Sequence, residues 1–146
     1  MSRKITIIAV AGAATATLAV GGAGTLASAS TTSHTLKFTS VQVTEKGFSG
    51  GRFVDSDKDV QNGKVIGYDV VNGVYNAEKK TITINFAGAL AGGIIYGDGH
   101  GSATSTKFTG TITGGTGVYK GIQGTITGKS TGKNDNNEQL VFTYHH

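Results

Sequence analysis

The sequence predicts an all-β domain, an antiparallel barrel of about eight strands that closes on itself. Glycine supplies 24 of the 146 residues, well above the usual share of about 7%. It recurs among threonine, valine and isoleucine, a mixture typical of short strands joined by turns. Residues 81–90 alternate apolar and small or polar side chains, the period of a strand with one buried face. Asn-Gly pairs at 62–63 and 72–73 are strong signals for tight hairpin turns.

The strands are predicted, in chain order, at residues 35–44, 52–57, 64–71, 81–90, 94–96, 106–113, 118–128 and 139–144. A slip in the first alternation predicts a β-bulge near Ser40. Polar loops are expected before Asn62 and over residues 129–138, with a flexible glycine-rich loop at 97–101. Gly114-Gly115 is predicted to turn the sixth strand into the seventh, where further glycines suit barrel corners. Eight strands leave an interior that side chains fill or that holds one small ligand.

The first 29 residues are predicted to be a cleaved signal peptide, which leaves residues 30–146 as one barrel domain. Arg3 and Lys4 precede a weakly apolar run, and small residues at 27–29 form a cleavage pattern. A single membrane anchor is the alternative, since residues 5–26 are long enough to span a bilayer. We expect a secreted protein with no stable membrane insertion after cleavage.

Composition excludes several kinds of site and partner. The chain has no cysteine, so disulfides and cysteine-ligated zinc are impossible. Its net charge is +4, but the lysines are scattered and Arg52 is the only arginine after Arg3. Nucleic-acid recognition favours arginine and basic stripes, so we expect no nucleic-acid partner.

Consecutive segments near the end of the chain carry a resemblance to a known family. Residues 108–113 read FTGTIT, residues 114–119 read GGTGVY and residues 121–124 read GIQG. This run resembles the allene oxide cyclase barrel and its relative, the plant dirigent protein, in which such a glycine turn leads to an aromatic residue and a closing glycine. The resemblance covers roughly residues 35–144, with support from FVDSD at 53–57, VIG at 65–67 and LVFTY at 140–144.

The resemblance implies a calycin-like barrel of eight antiparallel strands, often trimeric, with a hydrophobic lumen and no metal or organic cofactor. Allene oxide cyclases cyclise an unsaturated fatty-acid epoxide, and dirigent proteins steer the coupling or cyclisation of phenoxy-type intermediates. Val118 and Gln123 stand where the dirigent pattern has aspartate and arginine. Gln42 and Thr44 stand nearest to the glutamate and asparagine of the cyclase, and its lumen cysteine has no counterpart. The resemblance therefore transfers the fold and not directly the chemistry.

Acidic residues form the most suggestive local pattern. Asp55, Asp57 and Asp59 alternate like the first ligands of an EF-hand loop, but Val60 and Ile66 occupy the positions that require glycine and glutamate. A solvated loop, an irregular calcium site and a polar group in the barrel mouth remain open.

Two other patterns near glycines are candidates for chemistry. Asp98 and His100 are either an acid/base pair or an exposed loop pair. Tyr119 precedes Lys120 where a phosphate-binding loop needs glycine, so nucleotide binding is excluded.

We predict that polar side chains in the lumen contact a mostly apolar ligand. Tyrosine suits such a site because its apolar ring ends in one polar group, although core packing is the alternative for each tyrosine. The predicted catalytic contacts are Glu45, Asp55 and Tyr119. The predicted ligand-binding residues are Gln42, Thr44, Tyr68, Tyr96 and Gln123.

Two functions follow from this prediction. In the first, the barrel binds a small hydrophobic lipid or phenolic molecule and promotes its cyclisation or isomerisation by confinement, as a homotrimer or homodimer. In the second, it is a non-enzymatic extracellular module that associates through its outer face. The second function expects a lumen without a void, filled by Ile82, Ile84, Phe86, Ile112 and Ile126. A hydrolase is excluded because the sequence offers no nucleophile–base constellation.

Overall fold

The computed structural model describes residues 32–131 and 136–146 and forms a closed barrel of eight antiparallel strands. The predicted signal peptide and residues 132–135 of the predicted polar loop lie outside the described residues. The strands are β1 (His34–Gly47), β2 (Arg52–Gln61), β3 (Lys64–Asn76), β4 (Thr81–Leu90), β5 (Gly93–Ser102), β6 (Lys107–Gly115), β7 (Gln123–Thr131) and β8 (Asn137–His145). The predicted fold class is confirmed.

Closure comes from the pairing of β1 with β8. Each strand pairs with the next one along the chain, and β8 returns to β1 in the register Phe38 with Leu140. Every strand therefore has two hydrogen-bonded neighbours, so the barrel leaves no exposed sheet edge. No helix in the described part of the chain is long and apolar enough to cross a membrane.

The core lies toward one end of the barrel, which we call the closed end. The closed end of the barrel contains the β4–β5 and β6–β7 turns and the end of β8. Phe38 packs edge-on against Phe142 at 5.1 Å between ring centroids, and Phe86 lies 5.5 Å from Phe142. The buried apolar side chains of the core are Phe38, Ile95, Ile112, Ile122, Ile126, Leu140 and Phe142. The other end, where β2 begins and β5 ends, is less completely filled and is called the open end.

Inward-facing glycines make room for large side chains from neighbouring strands. The Phe53 ring lies over Gly73, its partner in the β2–β3 register, and the Phe108 ring lies over Gly128. A Cβ at either glycine would run into the ring, so each phenylalanine depends on the glycine opposite. In β5 the buried positions nearest the open end include Gly97 and Gly99, and Gly101 follows, so this wall presents backbone to the interior.

Several predicted boundaries are wrong because inward glycines and acids were interpreted as turns and loops. Asn62-Gly63 is a hairpin turn, with φ of 51° and 73°, as predicted. Asn72-Gly73 instead lies inside β3, and the actual turn spans residues 77–80. The predicted loops at 58–61 and 97–101 belong to β2 and β5.

The bulge and the glycine turn also differ from the prediction. The β1 bulge lies between Gln42 and Thr44 rather than at Ser40. Strand β6 continues through Gly115, and the chain turns over residues 116–122 with a short 3-10 segment, Gly117–Tyr119. Gly117 (φ 60°) and Gly121 (φ 80°) take left-handed conformations there, which glycine adopts without steric cost.

Candidate functional site

A cavity of about 230 Å³ opens at the open end of the barrel. One part of its wall is apolar, and it contains two aromatic rings, Phe53 and Phe108, with Val71, Ile82 and Ile84. Another part is polar, with side chains from β1, β2 and β8, namely Ser40, Gln42, Asp55, Asp57 and Glu138. The cavity thus joins an apolar surface to a group of carboxyl groups, which is typical of a small-molecule site.

Strand β2 supplies most of the acidic groups. Because β2 runs to Gln61 as a regular strand, the alternate residues Asp55, Asp57 and Asp59 share its inner face. Asp69 on β3 pairs with Asp57 in the register, so its carboxyl group joins the same face. Glu138 approaches from β8, where it pairs with Ser40 of β1. Three strands therefore bring five carboxyl groups into one half of the lumen.

Ser40 connects two of these carboxyl groups. Its Oγ lies 3.0 Å from Asp57 Oδ2 and 3.3 Å from Asp69 Oδ2, and the serine is buried. A serine hydroxyl has one hydrogen to donate, so it satisfies only one of the two carboxylates at a time. The second contact is a hydrogen bond only when that carboxyl group carries a proton and donates to Ser40.

Burial makes the carboxyl groups around the cavity weak acids. It raises the pKa of Asp55 and of Asp57 to about 6, with further increases from Glu45 and Asp69 respectively. Burial also raises the pKa of Glu138 to about 7, and the charges of Asp57 and Asp69 add to this effect. Near neutral pH each group is thus divided between its acid and its carboxylate form, the condition that favours general acid–base catalysis.

Asp59 and Asp69 form a carboxyl pair deeper in the barrel. Only 1% of Asp59 and 7% of Asp69 is exposed, and the Oδ1 atom of each has no hydrogen-bond partner. Burial raises the pKa of both, and a hydrogen bond between the two groups raises the pKa of Asp59 and lowers that of Asp69. Two adjacent carboxyl groups cannot both ionise at low cost. Asp59 therefore holds a proton and donates it to the Asp69 carboxylate.

A second, smaller chamber of about 30 Å³ lies beneath the main cavity, and this carboxyl pair lines it. The two spaces share wall residues from six strands, namely Ser40, Asp57, Val71, Ile84, Phe108 and Glu138. The inner chamber has room for about one water molecule. No group of three or more histidine, aspartate or glutamate side chains in the described residues has the arrangement of a metal site.

The comparisons with known proteins agree on the architecture. Pyocyanin demethylase superposes with a TM-score of 0.65 at 22% identity, covering 75% of this chain and 98% of its own. A pterocarpan synthase dirigent protein gives 0.64 at 13% identity, covering 88% and 97%, and the Diels-Alderase AbmU from Streptomyces koyangensis gives 0.59 at 12%, covering 82% and 71%. This chain has a dirigent-like barrel fold. No protein-family model and no curated protein matches it.

The structure brings some of the predicted site residues to the cavity. Gln42 and Asp55 line it, and Glu45 lies at its rim, where it pairs with Asp55 in the register. Gln42 Nε2 donates a 3.3 Å hydrogen bond to Glu45 Oε2. Thr44 lies outside the cavity lining, because the bulge turns it toward Ser56, whose Oγ is 2.7 Å from Thr44 Oγ1.

The remaining predicted residues lie away from the cavity. Tyr68 and Tyr96 are exposed on the outer face. Tyr119 is half-buried at the closed end, where its hydroxyl donates to the Ala91 carbonyl oxygen at 3.4 Å, and Gln123 is exposed nearby at the start of β7. Asp98 and His100 alternate with the inward glycines of β5, which directs both side chains outward, although Asp98 borders the inner chamber and His100 borders the mouth of the main cavity as parts of the β5 wall.

Sequence reasoning missed most of the acidic cluster. The pattern of Asp57 and Asp59 left a solvated loop, a calcium site and a polar group in the barrel mouth open, and no pattern in the sequence singled out Asp69, Glu138 or Ser40 as site residues. The available signal was the unbroken alternation of the β2 aspartates up to the Asn62-Gly63 turn, which is a strand pattern with acids on one face.

Proposed function

We propose that the barrel binds a small, mostly apolar molecule in the open-end cavity and promotes its cyclisation or isomerisation by acid–base chemistry. The observation that carries this proposal is the lining of the open-end cavity, which combines apolar side chains with carboxyl groups that are partly protonated near neutral pH. Neighbours of the same fold named as a dirigent protein, a Diels-Alderase and a pyocyanin demethylase support it.

The volume of the cavity limits the ligand. At about 230 Å³, the cavity exceeds the roughly 150 Å³ engineered cavity that binds benzene. It is smaller than the roughly 300–1,000 Å³ sites of drug-sized ligands. A molecule of one or two rings, or a short chain folded to the same size, fits this space.

The proposed reaction needs only proton transfer and confinement. A protonated carboxyl group of Asp57 or Glu138 donates its proton to an oxygen or an unsaturated carbon of the ligand. The apolar wall formed by Phe53, Ile84 and Phe108 holds the carbon skeleton in one folded conformation. A neighbouring carboxylate, such as that of Asp55 on β2, then removes a proton from the rearranged product. The ligand gains one proton and loses one, so its composition is unchanged, as an isomerisation or cyclisation requires.

Ligand capture tests this proposal. The purified barrel is incubated with an extract of small molecules, and the molecules that co-elute are identified by mass spectrometry. Val71→Phe adds a ring to the cavity wall, and Val70→Phe adds the same ring to the outer face beside it. We expect retained molecules with the wild type and Val70→Phe and a loss of at least tenfold with Val71→Phe. Equal retention by both variants, or none by the wild type, contradicts the proposal.

A second candidate function is association between copies through the outer face. The cavity departs from the filled lumen that the non-enzymatic hypothesis expects, but an apolar outer patch favours association itself. On the outer face, Tyr68 of β3 pairs with Ala89 of β4, and Val70 pairs with Ala87. Both alanines also pair with residues of β5. The exposed apolar residues of this patch are Tyr68, Val70, Ile94, Tyr96 and Val118. Contiguous exposed apolar surface of this kind marks interaction sites, and we propose a homodimer or homotrimer.

A further inference from the structure

We propose that the ligand of the open-end cavity is an organic cation, an aromatic or alicyclic molecule with a positively charged nitrogen. This inference rests on the proposed function, because it names the class of molecule that the same cavity takes. It is carried by the distribution of charge around the cavity, by two buried carboxyl groups that each keep one unpartnered oxygen atom, and by the aromatic rings that line the same cavity.

The charges that face the lumen are almost all negative. Asp55, Asp57 and Asp59 come from β2, Asp69 from β3 and Glu138 from β8, and Glu45 lies at the rim. The basic residues in the described lining are His100 and Lys107 at the mouth, and both are exposed to solvent. Strands β4 and β7 line the cavity with Ile82, Ile84 and Ser130, whose side chains are uncharged near neutral pH.

The buried carboxyl pair gives independent support, because its hydrogen bonds are incomplete. Asp59 and Asp69 are more than nine-tenths buried, line the inner chamber, and each keep an Oδ1 atom without a partner. Asp55 and Asp57 also have an unpartnered buried Oδ1 atom. Buried carboxyl oxygens are normally hydrogen-bonded, and leaving one without a donor costs about 1–3 kcal/mol or more. A ligand with positive charge in the main cavity supplies a partner for Asp55 and Asp57, and its charge also favours the carboxylate of the buried pair beneath it.

The shape of the site favours an organic cation over a metal ion. The cavity is far larger than a single ion, and the described residues do not form a metal-binding arrangement. Phe53 and Phe108 line the same cavity as the carboxyl groups. The face of an aromatic ring attracts a cation held within about 6 Å, so a flat cation in this cavity is stabilised both by the rings and by the carboxylates.

Two probes of equal shape test the charge. 1-Methylquinolinium and 1-methylnaphthalene have the same fused rings and methyl group, but only the first is charged. Binding of each to the wild-type barrel is measured at pH 8 and pH 5. We expect the cation to bind at least tenfold more tightly than the neutral probe at pH 8. We expect this ratio to fall at pH 5, where the carboxyl groups are protonated.

Proton release gives a second readout. A cation that enters a partly protonated cluster stabilises the carboxylate forms, so it displaces protons. Titration calorimetry at pH 6.5 in two buffers of different ionisation enthalpy should therefore show protons released with 1-methylquinolinium and none with 1-methylnaphthalene.

Matched variants locate the effect. Glu138→Gln and Asp57→Asn remove a carboxylate from the cavity, and each should reduce the ratio of the two affinities at pH 8 by about tenfold. Glu78→Gln makes the same change in the exposed turn after β3 and should leave the ratio unchanged. Equal affinities for the two probes, or a ratio unaffected by both cavity variants, would overturn the cation inference and leave the proposed cavity function standing. If neither probe binds and extract capture also fails, both proposals fall.

Discussion

Asp59 shows how one buried carboxyl group couples the stability of the barrel to pH. Its side chain is almost completely inaccessible and its nearest charged neighbour, Asp69, is also an acid. One shared proton leaves the pair with a single negative charge, and removing that proton leaves two carboxylates in a poorly solvated space. The stability of the barrel must therefore depend on whether this proton is present.

The sign of this dependence follows from the direction of the pKa shifts. The carboxyl groups of Asp55, Asp57, Asp59 and Glu138 all have folded-state pKa values above their ordinary ones. The folded state binds more protons than the unfolded state over this range, so the free energy of unfolding falls as pH rises. The stabilisation is complete below about pH 4, near the ordinary pKa, and is lost as pH passes through 6 to 8.

Asp59→Asn should weaken this pH dependence. The wild-type melting temperature is expected to fall from pH 5 to pH 8.5, and the variant should lose less because an amide can donate to Asp69 without releasing a proton. At pH 8.5 we expect the variant to be more stable than the wild type by about 1–3 kcal/mol, as measured by thermal and urea unfolding. Glu78→Gln should follow the wild-type curve, and a variant slope equal to that of the wild type would contradict the shared-proton arrangement.

At the scale of elements, β2 places the acidic side chains in the lumen, and the turn after β6 packs against the β4–β5 turn at the closed end. β2 exposes its acids to the lumen because it continues as a strand up to the hairpin turn at Asn62. The turn after β6 brings Gly117 against the backbone of Gly92 and Gly93, where a Cβ would collide. Gly121 has a similar left-handed φ, but nothing lies within 4 Å of the position of a Cβ.

These two glycines give a matched pair of variants. Gly117→Val should destabilise the barrel severely, by more than about 4 kcal/mol, because it combines a left-handed β-branched residue with a backbone collision. Gly121→Ala should cost about 1–2 kcal/mol, the strain of the left-handed conformation alone. Denaturant unfolding of both variants measures the difference. Similar costs for the two would show that the close contact at Gly117 is not needed for closure.

Local patterns predicted the strands well and the interior poorly. The alternation in β4 and the Asn62-Gly63 turn were sufficient to place those elements, since both signals are local. Gly73 was interpreted as a turn because its actual role, to accept the Phe53 ring, depends on a residue in another strand. Gln42 and Asp55 were found at the cavity, but the approach of Asp69 and Glu138 to β2 follows from barrel register, which single-sequence patterns do not contain.

At the scale of the whole molecule, closure removes the sheet edges and leaves side-chain surfaces as the route to association. The patch on β3, β4 and β5 exposes Tyr68 at 62%, and Val118 at 63% lies near it at the β4–β5 turn. Burial of such surface between copies contributes roughly 25 cal/mol per Å², and the two alanines at its centre allow close approach.

Substitution of the patch should separate the copies. Sedimentation of the wild type is expected to show a dimer or trimer, and Tyr68→Glu should shift it to the monomer because a carboxylate would be buried at the interface. Thr125→Glu places the same charge on β7, away from the patch, and should leave the assembly intact. A wild type that sediments as a monomer at high concentration would rule out the association.

The inward glycines of β5 affect the size of the cavity, whereas the carboxyl groups that determine its chemistry lie on other strands. Gly99 faces Ile84 and Gly101 faces Phe108, so a methyl group added at Gly99 would meet Ile84 at 3.1 Å and one at Gly101 would meet Phe108 at 3.0 Å, and either would displace a side chain that lines the cavity. The carboxyl groups lie on other strands, on β2, β3 and β8. A descendant of this protein can thus change which molecules it accepts through single steps in β5 while its acids stay untouched, which makes the barrel a readily diversified scaffold.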